Sequence, residues 1–304
     1  MKNAPDLSVI IACVNGLPMV RECLASLATQ QGNVEAEVIV ADVTGAETAR
    51  LIREQFPWVK LITFTERLTI PQLRTVGLAH SSGKIVAIIE DHVVMDGRWY
   101  EEMVKAHHTH PDCIAVGGVI ENGSYERLVD WAVFFCEYSS YMQPVPPGIV
   151  KEIPGNNVSY KRSAFEGIDS LEETLDQGFW ETTLHEKLLA RGERFLLEPS
   201  IVVYHEKSFG FLYFLSQRYH YSRYYAGTLF ARASLPSRVF RSAVSLFVPP
   251  LLMGRIAARV VRKRRHLKKL LLTSPLLAIF TMVWAIGESV GCLLGPGQSL
   301  RKVE

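Results

Sequence analysis

The chain has 304 residues, 48% of them apolar and 21% charged, which is enough to bury a large core and excludes disorder over most of the length. Its 33 Lys and Arg nearly balance its 31 Asp and Glu, and the net charge of +2 carries no electrostatic footprint for nucleic acid. The charge is unevenly spread: from Leu235 onward there are twelve cations and two anions, against 21 and 29 before it, so an acidic body precedes a basic tail.

Near the N-terminus the only apolar run is residues 7–12, too short for a signal-peptide core, so the body is expected to stay in the cytosol. The five cysteines are odd in number and share no metal-binding spacing, which reads as buried thiols in a reducing compartment. Val/Ile-rich runs at residues 7–12, 37–42, 59–64 and 84–90 are apolar almost throughout, as strands covered on both faces must be. Between them lie crossover helices at 19–30, 46–55 and 70–81. The expected class is α/β, a doubly wound and mostly parallel sheet.

After Asp96 the pattern predicts a helix to about His110, a strand near 113–120, and an aromatic helical stretch from Trp131 to Tyr141. His107, His108 and His110 are expected at the surface, complementing a helix C-terminus. A Pro/Gly hinge at 143–148 leads to the sequence IPGNNVSYKRSAF at 153–165. Further elements are a helix at 178–190 closed by Gly192, a strand at 201–204, and a long aromatic and basic helix at 209–231. The tail is different in kind. Residues 243–254 are apolar but carry Pro249 and Pro250, too short and broken for a secure span. Residues 255–269 hold eight cations, and residues 270–294 have a single charge, Glu288. That last run exceeds the ~20 residues a bilayer crossing needs, and cations beside it favour the cytoplasmic face. The domains expected are 1–232, catalytic, and 233–304, membrane-associated and helical, crossing the bilayer or lying in its plane.

In a doubly wound sheet ligands gather at the carboxyl ends of the strands. Asn15 and Gly16 follow the first strand, Asp42 closes the second, and Glu90, Asp91 and His92 close the fourth. An Asp at the second strand end can accept hydrogen bonds from a base or ribose. The Glu-Asp-His cluster offers hard oxygens and an imidazole for a divalent ion that would neutralise a diphosphate. No glycine-rich dinucleotide or phosphate-cradling loop follows any strand.

The order SVIIACVNG, EVIVAD, LRTVGLAHSSGKIVAIIEDHV, followed by IPGNNVSYKRSAF, FWETTLHEKLLARG and VVYHEKS, resembles family 2 glycosyltransferases, inverting nucleotide-sugar enzymes of the GT-A fold. The resemblance covers about residues 7–232. It implies that Asp42 contacts the nucleotide base, with Asn15 and Arg74 in the donor pocket. Glu90, Asp91 and His92 then stand where the family commonly has Asp-x-Asp, and His205 supplies a further metal or diphosphate contact. Asp91, His92 and His205 are thus the expected metal ligands, for Mn²⁺ or Mg²⁺, with imidazole suiting softer ions better than Mg²⁺. Glu181 aligns with the second residue of the family's Glu-Asp pair and becomes the expected general base, with His185 one helical turn on to tune it. Trp180, Asn156 and Asn157 are expected at the acceptor. Arg218 and Arg223 are expected to clamp the leaving diphosphate. Gln217 is followed by His220 and Tyr221 rather than the Arg-Trp of processive synthases, which implies one sugar per encounter. The expected activity is transfer from a nucleoside diphosphate donor, a UDP-sugar foremost, to a hydroxyl of a lipid-linked or glycan acceptor at the cytosolic face of the membrane. The alternative is a nucleotide-sugar-binding membrane scaffold that has lost turnover.

Overall fold

The computed structural model describes residues 4–167 and 180–303, with the side chains of 180–183 outside that description. Two compact units form, one from Met1–Gly123 with Tyr141–Glu206 and one from Ser124–Ser140 with Lys207–Glu304.

The first unit is built on a mixed sheet. Its strands are β1 (Leu7–Cys13), β2 (Ala36–Asp42), β3 (Lys60–Thr63), β4 (Ile85–Glu90), β5 (Val93–Met95), β6 (Cys113–Asn122), β7 (Gly148–Val150), β8 (Asn157–Lys161) and β9 (Arg194–His205). They run in the order β3-β2-β1-β4-β8-β6-β9-β5, with β7 added beside β9. The half from β3 to β4 is wholly parallel. Strands β8, β5 and β7 enter antiparallel, and β6 and β9 pair in parallel. Strand β1 is buried along its whole length, which is why its sequence shows no polar alternation.

Helices α1 (Met19–Ala28), α2 (Ala46–Gln55) and α3 (Ile70–Ala79) make the crossovers. The start of α3 is fixed by a capping box in which Thr69 and Gln72 exchange side-chain and backbone hydrogen bonds, with Pro71 in the first turn. Helix α4 (Trp99–Thr109) follows, and α6 (Trp180–Ala190) lies before β9. The expected strand at 201–204 is only the end of β9, whose pairing with β6 is interrupted by a register shift between Gly117 and Val119; the polar stretch Glu198-Pro199-Ser200 at that interruption hides the continuity in the sequence.

His107 departs from its surface expectation. It is buried and its Nε2 lies 2.8 Å from Ser159 Oγ. Helix position placed it on the face that α4 turns to the core, and the neighbouring polar residues masked this.

The second unit is helical: α5 (Leu128–Tyr138), α7 (Phe211–Leu229), α8 (Leu235–Val244), α9 (Val248–Lys263) and α10 (Leu267–Leu294). Pro249 and Pro250 do not break the tail. They fall in the first turn of α9, where the missing N–H groups cost nothing and the fixed φ suits the helix. Residues Leu235–Lys263 therefore form a helical run of 29 residues, and Leu267–Leu294 one of 28. Both are long and apolar enough to cross a membrane.

Candidate active site

Strand register builds the site. Cys13 pairs with Asp42 and Ala12 with Glu90, so β1, β2 and β4 end level and present Asn15, Asp42 and the Glu90-Asp91-His92 turn at one edge of the sheet. On the other side of β4, Ile89 pairs with Asn157, which brings Asn156 to Glu90. Strand β9 returns so that His205 opposes Val93, next to His92.

Three side chains converge there. His92 Nε2 lies 3.0 Å from His205 Nε2 and 3.2 Å from Glu90 Oε2. One donor atom from each residue lies within 4.8 Å of the others. Adjacent ligands of an octahedral ion bound at about 2.1 Å stand about 3 Å apart, so this donor set fits a single divalent ion.

Asp91 lies outside this group. Its Oδ2 accepts from the backbone N–H of Val14 (2.9 Å) and Asn15 (2.7 Å), and its Oδ1 from Asn15 Nδ2 (2.7 Å). The same Oδ1 faces His92 Nδ1 at 2.9 Å. An ionised Asp91 therefore keeps the proton on Nδ1 and turns the Nε2 lone pair toward Glu90 and His205. Asp91 was expected among the ligands; in this geometry its lone pairs face four donors, and it meets the cluster through His92. Glu90 offers its Oε2 to the cluster, and the same atom accepts from Asn156 Nδ2 at 2.9 Å.

The electrostatics agree with a seat for positive charge. Burial alone would raise the Glu90 carboxyl, but His92, His205 and Arg74 outweigh it and hold it well below the usual carboxylate range. Burial likewise opposes ionisation of Asp91, and the hydrogen bonds from His92 and Asn15 lower it. The His92 imidazole is disfavoured as a cation by burial, yet Glu90 and Asp91 raise it above its ordinary value.

Asp42 is 1% exposed. Its Oδ1 accepts from the backbone N–H and hydroxyl of Thr44, at 2.9 and 2.7 Å, a local turn that the Asp-x-Thr spacing signals. Its Oδ2 is buried and, among the described residues, has no hydrogen-bond partner. A buried carboxylate oxygen left open awaits a donor.

Other expected residues sit differently. Asn157 is fully buried, and its amide oxygen and its amide nitrogen are both engaged within the fold. Its Oδ1 accepts from Trp99 Nε1 at 2.9 Å, and its Nδ2 donates to Val119 O and Ile201 O at 2.8 and 3.1 Å. Asn157 thus ties β8 to α4, β6 and β9, which corrects its expected acceptor role. His185 packs inward against Phe195, its Nε2 2.8 Å from Tyr160 Oη, and burial pushes its pKa down to about 4. Arg218 and Arg223 are engaged in the helical unit. Arg218 pairs with Glu137 at 2.5 Å and lies 4.1 Å over the Trp284 ring, and Arg223 Nε donates to Gly295 O at 3.2 Å. Trp180 and Glu181 open α6, but their side chains lie outside the described residues.

A doubly wound sheet with a metal-fitting cluster and an open carboxylate at its carboxyl edge is the architecture of a GT-A glycosyltransferase. The model of glycosyl transferase family 2 matches residues 8–168, over half of the chain, and the chain belongs to that family. Among curated proteins it is similar to the glucosyl-dolichyl phosphate glucuronosyltransferase of Haloferax volcanii, 28% identical over 109 residues, a match that spans 33% of each chain. Among solved structures it is similar to the mannosyltransferase PcManGT from Pyrobaculum calidifontis in complex with GDP-Man and Mn²⁺, with a TM-score of 0.58 and 18% identity over 96% of this chain and 88% of that one. A second is GalNAc-T7 with UDP, GalNAc and Mn²⁺, with a TM-score of 0.51 and 16% identity over 67% of this chain and 44% of the other. At these identities the likeness is one of fold.

Proposed function

We propose that this chain is a glycosyltransferase that works by inversion and without processivity, moving a sugar from a nucleoside diphosphate donor, a UDP-sugar foremost, to a hydroxyl of a lipid-linked or glycan acceptor at the cytosolic face of the membrane. The observation that carries the reading is the joint position of the Glu90, His92 and His205 cluster and the open Asp42 Oδ2 at one edge of the sheet. Asp42 would accept a base N–H, with Asn15 and Arg74 lining the donor pocket. Glu90, His92 and His205 would hold Mn²⁺ or a similar ion, which when bound neutralises charge on the donor diphosphate. The two imidazoles favour Mn²⁺ over Mg²⁺.

Glu181 would take the proton of the acceptor hydroxyl as its oxygen bonds to the anomeric carbon. The bond from that carbon to the diphosphate oxygen breaks on the opposite face, and its electron pair leaves with the nucleotide. Asn156, which holds Glu90, would stand beside the acceptor, and Trp180 would stack on the acceptor sugar. The cytosolic membrane position is supported by the two long apolar helices and the basic segment between them.

The test is release of nucleoside diphosphate from UDP-, GDP- and dTDP-sugars by the full chain in detergent, with membrane lipid extract as acceptor and with Mn²⁺, Mg²⁺ or chelator. One donor should be turned over, and Glu181→Gln should lower the rate at least about a hundredfold. Donor binding without release would favour the scaffold, and neither binding nor release would overturn the reading.

A further inference from the structure

We infer that the tail forms a helical hairpin lying in one face of the bilayer, with the basic turn and both hairpin ends on the same side, rather than a pair of crossings. This deepens the membrane reading above and rests on it. The hairpin closes on itself along its length: Ser242 and Ser289 share a hydrogen bond of 2.6 Å, and Arg238 donates to Cys292 O and Leu293 O at 2.6 and 2.7 Å. The two helices are joined by the turn around Arg264 and His266, both in the left-handed region. At 28 residues, α10 is about 42 Å long, ample for a hydrocarbon core of about 30 Å.

Length is not the deciding quantity, because α10 has a companion. From Phe280 onward it runs parallel to α7. Phe280 meets Phe214 with ring centroids 4.7 Å apart, and Trp284 meets Tyr221 at 5.6 Å. At Gly287 an added Cβ would lie 2.0 Å from Ser222 Oγ, and at Gly291 2.4 Å from Arg223 O, so the two backbones touch. Any depth reached by residues 280–294 is therefore reached by α7 as well. Along that stretch α7 carries Gln217 bonded to Lys302 O, the Arg218–Glu137 pair, His220 beside Ser299 Oγ, and Arg223. Such groups are costly in hydrocarbon. The α10 residues left free of α7, 267–279, span only about 20 Å, too little to cross.

The outer face of α10 suits an interface instead. Leu271, Leu272, Ile279, Met282, Ile286, Leu293 and Leu294 are exposed on it, while Thr273, Leu277, Phe280 and Ala285 are buried on the other. The buried side of α10 is taken up by packing within the helical unit, which leaves the exposed apolar side as the one that lipid can cover.

The basic turn supplies the second argument. Lys263 Nζ donates to Ser140 O at 2.9 Å, His266 lies 4.6 Å from the Trp131 ring, and Lys269 Nζ sits 5.3 Å over the same ring. Ser140 is one peptide bond from Tyr141 of the catalytic unit, so the turn cannot be a bilayer's thickness away from that point of the chain. Eight cations in residues 255–269 then face anionic headgroups on the catalytic side, as charge complementarity and the distribution of cations across membranes require. The occupant of the apolar face is thus an anionic bilayer.

The experiment introduces Arg262→Cys at the turn and Gln298→Cys beyond the hairpin's other end, separately, in the full chain. A membrane-impermeant maleimide is applied to intact spheroplasts and to inverted membrane vesicles, with the unsubstituted chain reporting background from the native thiols. The expected result is no labelling of either variant in spheroplasts and labelling of both in inverted vesicles. Labelling of the two variants from opposite sides would establish a crossing and overturn the inference. Absence of the chain from the membrane fraction would overturn the bilayer as occupant, and a concentration-dependent dimer by sedimentation would then assign the face to a second copy. Nucleotide release measured on the same vesicles is a separate readout: its failure would count against the transferase reading and leave the topology result standing.

Discussion

His92 shows how much of the site turns on a single proton. With Asp91 fixing that proton on Nδ1, Nε2 is free to ligate; without it either tautomer is open. Asp91→Asn should therefore weaken Mn²⁺ binding by about 10- to 100-fold, read by calorimetric titration, through the His92 tautomer that Asp91 sets. Two adjacent asparagines separate cleanly by the same reasoning. Asn157→Ala strands Trp99 Nε1 and the carbonyls of Val119 and Ile201 in a dry interior, and should cost about 3 kcal/mol in a urea titration. Asn156→Ala removes one donor from a half-buried carboxylate and should leave the urea midpoint within about 1 kcal/mol while lowering turnover. In the sequence the Gly155-Asn156-Asn157 triplet offers both asparagines to the acceptor alike. Which asparagine faces the site is decided by a strand starting at Asn157, and no property of the triplet discloses it.

Among elements, the inner parallel strands β1 and β4 were legible because burial on both faces removes polar residues from them, and the helices between the strands because their apolar periodicity survives. The sheet's later strands were less so. Strand β9 carries Glu198-Pro199-Ser200 in its middle, and its pairing with β6 is interrupted there, residues 198–201 standing against Gly118 alone, yet one strand runs from Arg194 to His205. Helix α3 shows a case where local propensity and packing disagree. Gly77 lies inside it, and alanine there would ordinarily stabilise a helix by about 1 kcal/mol. An added Cβ would lie 2.3 Å from Ile10 Cγ2, on a buried β-branched side chain of β1 that cannot rotate aside. Gly77→Ala should thus destabilise by about 1 to 3 kcal/mol, lowering the urea midpoint. Because Arg74 rides on the same helix, donor affinity should fall with it. A smaller loss, about 1 kcal/mol, is expected of Thr69→Ala, which removes the capping box without moving the helix off the sheet.

For the whole molecule the acid limb of stability is set by histidines that stay neutral inside it. Burial pushes His107 down to about 3 and His185 to about 4, whereas both titrate near 6.5 once unfolded. Between those values the unfolded chain binds more protons than the folded one, so stability is full above about pH 6.5 and falls as the pH is lowered. At pH 5 each buried imidazole should have withdrawn about 2 kcal/mol. The lowered carboxylates Glu37 and Asp6 add losses of the same sign, but only below their ordinary range near pH 4, so the histidine contribution stands apart in the interval from 6.5 to 5. His107→Gln keeps a group able to bond Ser159 Oγ and cannot take up a proton. Its urea midpoint should therefore drop less than that of the unsubstituted chain between pH 7 and pH 5, by the equivalent of about 2 kcal/mol. Equal drops in the two proteins would mean that burial does not hold His107 below its ordinary value in the fold.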